Sequence, residues 1–314
     1  MVTSRNNKFK LSVVIPVRNR RKELEASLFS VASQKFAAKD FEVVVCDDGS
    51  TEETWRVVEK FRGVVPNLRF LRQECKGPAA ARNMGFRSSE GDFYVCVDSD
   101  VICAPEFLSE IINAFEENPG WVAAEGIVVP IGGRTSPLWD APINGGGRFL
   151  STASAYRAEA IRRIGGFDES FPFPAYEDFE VGIRLKEIGE FGFIPNAVAY
   201  HPRRRVTLKT FWTRRRFWRF TVIIAKRYGV FGVPSRGKTT RFPRLRTAFC
   251  ALVTSPGGRL LNSMAHFFKN PSEGALAIFY SAFDFICGFI ALPEILFSRY
   301  PERRNYLIER DSGA

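Results

Sequence analysis

Between residues 11 and 128, short apolar runs that fit strands alternate with segments whose apolar residues recur at helical spacing, and this alternation leaves few folds open. Ser12 to Val17 reads as a buried strand, and Leu24, Leu28 and Val31 follow on one helix face. Phe41 to Cys46 is a second strand. Ser50 with Glu53 reads as a capping box that opens a helix bearing Trp55, Val58 and Phe61 on one face. Leu68 to Leu71, Asp92 to Val97 and Trp121 to Val129 are the third, fourth and fifth strands. Between them, Pro78 suits the first position of a helix running to about Arg87, and Pro105 opens another with Leu108, Ile111, Ile112 and Phe115. The pattern predicts an α/β fold, a mostly parallel sheet with helices on both faces. Ligands of such sheets lie beyond the carboxyl ends of the strands, so the residues that follow each strand carry the chemistry.

Past residue 130 the pattern loosens. Asn144-Gly145-Gly146-Gly147 reads as a turn or a close backbone approach to a ligand, and Phe149 to Tyr156 as a strand. Gly165-Gly166 stops a short helix, Asp178 to Ile188 is helical with Gly189 as its stop, and Phe191 to Tyr200 is a last strand before His201.

Acids gather at the strand ends. Asp47-Asp48-Gly49-Ser50 follows the second strand, and Asp98-Ser99-Asp100 follows the fourth. Taken alone, either pair serves as turn or cap chemistry. A carboxylate there can also accept from a base or ribose, and a hard divalent cation uses one or two such carboxylates with substrate phosphates and water. Pro16-Val17-Arg18-Asn19 follows the first strand. Arg82, in the first turns of its helix, suits bidentate contact with a phosphate or serves as an ordinary surface arginine.

In order, Ser-Val-Val-Ile-Pro-Val-Arg-Asn, Val-Val-Cys-Asp-Asp-Gly-Ser, Gly-Pro-Ala-Ala-Ala-Arg-Asn and Val-Asp-Ser-Asp resemble the family 2 glycosyltransferases over roughly residues 10 to 201. The resemblance implies a GT-A nucleotide-sugar fold, Rossmann-like, with Pro16, Arg18, Asp48, Arg82, Asp98 and Ser99 toward the donor. It implies Asp98, Asp100 and His201 as ligands of a divalent metal, Mg2+ or Mn2+. The family often has tyrosine where Arg18 stands; an arginine plane can also stack on a base. Gly166-Phe167-Asp168-Glu169 and Tyr176-Glu177-Asp178-Phe179-Glu180 resemble the family's acceptor loop and its Glu-Asp pair at a helix start. The implied chemistry is an inverting single displacement from a nucleoside diphosphate sugar, a UDP-sugar foremost. Asp178 would take the proton of the acceptor hydroxyl and Glu177 would position the acceptor; both acids also favour a helix N-terminus electrostatically.

Charge divides the chain. Residues 191–272 carry 17 Lys and Arg and no acid, whereas the rest carry 28 basic and 34 acidic residues. Around Arg203-Arg204-Arg205 and Arg214-Arg215-Arg216 the cations interleave with Phe211, Trp212, Phe217 and Trp218. Residues 202–246 therefore fit an interfacial anchor on anionic lipid, and a lipid-linked or cell-surface glycan acceptor follows from that placement. A solvated basic face is the plainer reading, and nucleic acid ranks last because no nucleic-acid module accompanies the charge. Ala275 to Leu292 is apolar, broken by Asp284, at the lower limit for a span. Cys46, Cys96 and Cys287 lie in apolar runs, and residues 1–10 read as polar and basic rather than as a leader, so the expectation is reduced thiols and a cytoplasmic, peripheral location. The expected domains are a glycosyltransferase domain at 1–204, with its nucleotide-sugar half at 10–128 and acceptor half at 129–204, and a helical basic region at 205–314. Two other readings are a sugar nucleotidyltransferase and a non-catalytic nucleotide-sugar-binding membrane protein. The first wants a Gly-rich basic loop after strand one, where Pro16-Val17-Arg18-Asn19 stands, and the nearest such string, Gly132-Gly133-Arg134-Thr135, follows the fifth strand.

Overall fold

The computed structural model describes residues 8–65, 67–142, 144–147, 149–214, 220, 224, 227–228 and 263–297. Much of the basic segment, Arg215 to Trp218 and 229–246 included, and the cysteines other than 46, 75, 96 and 103 lie outside the residues so described or have side chains that do. The chain divides into two compact units, one comprising residues up to Ile131 with Pro142–Pro202, the other Gly132–Ala141 with the described part of Arg203–Glu302.

The first unit holds an eight-stranded sheet in the order β3-β2-β1-β4-β8-β6-β9-β5. Its strands are β1 (Phe9–Val17), β2 (Phe41–Asp48), β3 (Leu68–Gln73), β4 (Gly91–Val97), β5 (Ile102–Cys103), β6 (Trp121–Ile131), β8 (Ala153–Arg157) and β9 (Glu190–Pro202). The pairings β1–β2, β2–β3, β1–β4 and β6–β9 are parallel; β8 runs antiparallel to both β4 and β6, and β5 antiparallel to β9. Six strands therefore share one direction. The carboxyl ends of β1, β2, β4 and β9 and the start of β8 lie on the same edge, which is where the site forms.

Helices α1 (Arg21–Ala32), α2 (Thr54–Phe61), α3 (Pro78–Ser88), α4 (Phe107–Glu117), α5 (Ala158–Arg163) and α6 (Glu177–Lys186) cover the sheet in two apolar layers. One layer sets Leu24, Leu28, Val57, Phe107 and Ile111 against Val13, Ile15, Val43 and Val95; the other sets Ala81, Phe86, Ile161, Val181 and Leu185 against Val14, Val44, Cys46 and Cys96. Alternate residues of one strand thus feed opposite layers, as the pleat demands. Burial pushes the thiols of Cys96 and Cys103 up to about 12, so these are inert packing groups.

Several local expectations are corrected. Glu53 is the N-cap of α2 and makes no side-chain capping bond; Asp47 instead accepts from Ser50 N and Thr54 Oγ1. With the helix starting at Thr54, its buried face is 54, 57, 58 and 61, and Trp55 turns to solvent. A turn, Phe107 N to Ala104 O, separates Pro105 from α4. The strand expected from Phe149 begins only at Ala153, because Gly146, Gly147 and Phe149 all have left-handed backbones that no strand accommodates.

In the second unit, β7 (Trp139–Asp140) pairs with β10 (Arg204–Arg205), and α7 (Leu208–Arg214) contacts α8 (Pro271–Phe297). Glu273 at the start of α8 is bonded by Arg134 at 2.9 Å and faces His266 at 3.6 Å. Among the described residues no helix is long and apolar enough to cross a membrane.

Candidate active site

The loop after β2 is built by its own acids. Asp48 Oδ1 accepts from Gln73 Nε2 and from Lys76 N, each at 2.8 Å, and Oδ2 from Gly77 N at 2.9 Å. The carboxylate thereby fixes the approach to α3. Gly77 needs its φ of +99°, and a Cβ there would lie 2.5 Å from Pro172 O, so only glycine fits before Pro78. Asn19, itself left-handed, accepts from Thr51 N at 2.7 Å and ties the loop after β1 to the loop after β2.

The acids after β4 are held by charge instead. Asp98 Oδ1 accepts from Arg82 Nη2 at 2.9 Å and Oδ2 from Thr152 Oγ1 at 3.0 Å. Ser99 is buried between the two acids of the turn. Asp100 is buried, with Oδ2 at 3.3 Å from Arg20 Nη1 and 3.5 Å from His201 Nε2. His201 Nδ1 lies 2.8 Å from Pro202 O, and a carbonyl can only accept, so Nδ1 carries a hydrogen and Nε2 is the ring nitrogen that faces Asp100. A carboxylate and an imidazole facing each other are the oxygen and nitrogen donors that Mn2+ accepts, and a diphosphate with water would complete the shell. Among the described residues no three His, Cys, Asp or Glu side chains converge as a metal group. Asp98, expected as a metal ligand, is turned to Arg82 and Thr152 and does not join the pair.

Arg82 is buried in α3 and joins the two halves of the unit. Its Nη1 bonds Glu177 Oε1 at 3.1 Å, its Nη2 bonds Asp98, and its guanidinium lies over the Phe167 ring at 5.4 Å. Burial opposes the charge, but Asp98 and Glu177 outweigh it and raise the pKa, so the guanidinium stays protonated. Next to it Asn83 donates Nδ2 to Phe167 O and accepts from Phe167 N, both at 2.9 Å, which clamps the Gly166-Phe167-Asp168-Glu169 loop to α3.

Glu177 and Asp178 open α6. Their N-cap, Tyr176, has φ +65°, a conformation that costs a bulky residue about 1–3 kcal/mol and marks a constrained site. Burial, then the adjacent Asp178 charge, push the Glu177 carboxyl up to about 7 against the pull of Arg82. Glu177 Oε2 is buried and has no hydrogen-bond partner among the described residues. Burial also raises the Asp178 carboxyl, countered by Arg82 and by the backbone amides of Phe179 and Ser151. A carboxylate whose proton affinity is raised above the ordinary range is suited to general base work.

The structure thus gathers Arg82, Asp98, Glu177 and Asp178 into one electrostatic cluster, with Asp100 and His201 paired beside Arg20. Pro16 is half-buried and Arg18 exposed at the end of β1, and Asp48 braces a loop; none of the three touches the cluster through a hydrogen bond described here. Thr152, Arg20 and Glu125 belong to the site's framework and were not anticipated. Glu125 had a signal: a lone acid inside the apolar run Trp121 to Val129, at a position the pleat buries.

Known proteins decide what kind of domain this is. The family model described as Glycosyl transferase family 2 matches residues 12–165. That segment is a family 2 glycosyltransferase domain. Glu177, Asp178 and His201 lie beyond the matched residues. Poly(ribitol-phosphate) beta-N-acetylglucosaminyltransferase TarS of Staphylococcus aureus is 38% identical over 111 residues, 35% of this chain and 19% of that protein. Dolichol-phosphate mannosyltransferase of Pyrococcus furiosus is 34% identical over 107 residues, 34% of this chain and 30% of its own. The aligned stretches therefore span a minor part of these relatives. Two solved structures share the GT-A fold. TarS 1–349 with UDP-GlcNAc has TM-score 0.55 at 19% identity, covering 91% of each chain. The mannosyltransferase PcManGT of Pyrobaculum calidifontis, with GDP-Man and Mn2+, has TM-score 0.60 at 17% identity, covering 93% of this chain and 88% of its own. The carboxyl ends of β1, β2 and β4 and the start of β8 fall inside the matched residues, whereas the end of β9 lies beyond them.

Proposed function

We propose that the protein transfers a sugar from a nucleoside diphosphate donor to an acceptor hydroxyl with inversion. The observation that carries this reading is the Asp98–Arg82–Glu177 chain, which joins the acid after β4 to the acids that open α6. Asp98 and Ser99 bind the donor from the end of β4, with Pro16, Arg18 and Asp48 forming the base side. Arg82 supplies fixed positive charge beside the departing diphosphate. Asp178 takes the acceptor proton as the hydroxyl oxygen attacks the anomeric carbon, and the bond to the diphosphate oxygen breaks on the opposite face. Glu177, whose proton affinity burial and the neighbouring Asp178 raise, orients the acceptor beside Asp178. Asp100 and His201 would hold a divalent cation, Mg2+ or Mn2+, which when bound neutralises charge on the diphosphate. The donors named with the two structural neighbours, UDP-GlcNAc and GDP-Man, are the first to try. A screen of nucleotide sugars for metal-dependent hydrolysis, read by proton NMR of the released sugar, tests the reading: the inverted anomer is expected first, and the retained anomer would overturn it.

The acceptor we propose is a membrane-tethered glycan, because the second unit has an inside-out helix. In α8 the inward residues are Gly274, Ala277, Ser281 and Asp284, while Leu276, Phe279 and Ile286 face out. Phe268, 84% exposed, sits beside Lys269 in a stretch without acids. Large apolar groups outside and small ones inside, flanked by cations, suit an interfacial seat on anionic lipid. Flotation with phosphatidylserine vesicles is expected to carry the protein up at moderate salt; no binding, or binding unchanged in Phe268→Ser with Phe279→Ser, would overturn this.

A further inference from the structure

Glu125 stands in the middle of β6 and is buried, yet no expected role uses it. Its two oxygens are spent on one loop. Oε2 accepts from Asn144 Nδ2 at 2.9 Å and from Leu150 N at 3.2 Å, and Oε1 accepts from Gly147 N. Asn144 is held in turn by Gly126 O at 3.0 Å and turns its own Oδ1 to Gly146 N at 2.9 Å. A carboxylate is the one side chain that offers acceptors on both atoms, so it can gather three donors without presenting a hydrogen of its own.

The gathered loop has an unfavourable backbone. Gly146, Gly147 and Phe149 have φ of +100°, +80° and +59°. Phe149 keeps its strained conformation because both sides of it are fixed. Its flanking amides, at Gly147 and Leu150, go to Glu125, and its ring packs 5.7 Å from Phe179 and 4.6 Å from Phe191. Past the bend the chain delivers two groups in succession. The Ser151 amide comes near enough to Asp178 to favour its carboxylate, and Thr152 Oγ1 bonds Asp98 at 3.0 Å. At Ala153 it enters β8.

We infer that Glu125 is a positioning residue, whose side-chain oxygens gather Asn144, Gly147 and Leu150 so that Ser151 and Thr152 reach the two acids on either side of Arg82. The inference rests on the reading of Asp98 and Asp178 as donor-binding and base residues only for its catalytic consequence; the geometry it asserts is independent of that reading. Glu125→Gln places an amide N–H2 where a donor already sits, so one of the three bonds must open. Besides burial, the groups that act on Asp178 are Arg82 on α3, the Phe179 and Ser151 amides and Asp98 after β4, and Glu177 adjoins it on the same helix. Of these, only the Ser151 amide is carried by the loop.

The test uses the full chain with carbon-13 at the aspartate carboxyls, with Asp178→Asn assigning the Asp178 signal. In Glu125→Gln the Asp178 titration midpoint is expected to rise by about half a pH unit or more, because a hydrogen bond that favours the carboxylate is loosened. Hydrogen exchange of the amides at 147–152 is expected to speed up while β1, β2 and β4 stay protected. With whichever nucleotide sugar the screen finds active, turnover is expected to fall about tenfold with donor KM within about threefold. A purely structural role would lower stability without moving the midpoint. Should Glu125→Gln fail to fold, Asn144→Ala, which keeps both backbone donors on Glu125, carries the same test with a smaller shift in the same direction. An unmoved midpoint or unchanged exchange at 147–152 in the folded variant overturns the inference. Unimpaired turnover in Asp178→Asn would sink the base assignment instead and leave the loop result standing.

Discussion

The loops after β2 and after β4 begin alike, each with an aspartate delivered by an apolar strand and a second acid within two residues, and they are used in opposite ways. Asp47 and Asp48 accept from Ser50 N, Thr54 Oγ1, Lys76 N and Gly77 N, so their charge is spent on neutral donors that shape the chain. Asp98 and Asp100 face Arg82, Arg20 and His201, so their charge is answered by side chains that a ligand or a metal can share. The first pair of acids is answered mainly by backbone amides, the second by charged or ionisable side chains. What separates the two loops is the third element each meets, the start of α3 in one case and the body of α3 with α6 in the other.

The harshest way to break the second loop is Arg82→Met. It leaves Glu177 and Asp98 without their buried counter-charge, and a loss of about 3–5 kcal/mol in urea unfolding is expected. Asp47→Ala attacks the first loop. It strands Ser50 N and Thr54 Oγ1, and about 1–3 kcal/mol of stability should go while the folded fraction still binds nucleotide. Asp98→Asn should do the reverse, weakening nucleotide binding about tenfold or more by calorimetry at a stability cost under about 1 kcal/mol, because Glu177 still holds Arg82. If both variants lose stability equally, the contrast between the loops fails.

Protonation sharpens the same contrast. Glu177 is raised in the folded state to about 7, above its ordinary carboxylate value. Its favourable contribution is therefore complete below the ordinary carboxylate range, where both states are protonated, and is lost as pH rises through about 7. Between those limits the unfolded chain binds fewer protons, so stability should fall with rising pH by at most about 1.4 kcal/mol per unit from this group. Melting measured from pH 5 to 8 should show a shallower fall in Glu177→Gln than in the wild type; equal slopes would remove Glu177 from the account. The smallest effect belongs to Arg20→Ala, whose half-exposed ion pair with Asp100 should be worth under about 1 kcal/mol, with a modest change in Mn2+ dependence.

Much of the sheet was legible because the central parts of β1, β2, β4 and β6 are buried and so read as largely apolar runs. The acids at their ends and the Glu177-Asp178 pair stood out for the same reason, as charges beside strands and at a helix start. What stayed hidden depended on partners distant in the chain. That Asp48 also braces its own loop depends on Lys76 and Gly77, which arrive 28 and 29 residues later. Thr152 was folded into a strand that Glu125 prevents, by drawing the amides on both sides of Phe149 to itself. Trp55 was assigned to the core because the start of α2 was set by a capping pattern, whereas Asp47 sets it from outside the helix.

The central claim is that Asp178 does the proton transfer while the β4 acids hold the donor. Asp178→Asn measures it, with hydrolysis and transfer followed on UDP-GlcNAc and GDP-mannose and nucleotide affinity followed by calorimetry. The account expects turnover to fall by about a thousandfold or more with nucleotide affinity within about threefold of wild type. Turnover that survives the substitution would contradict it.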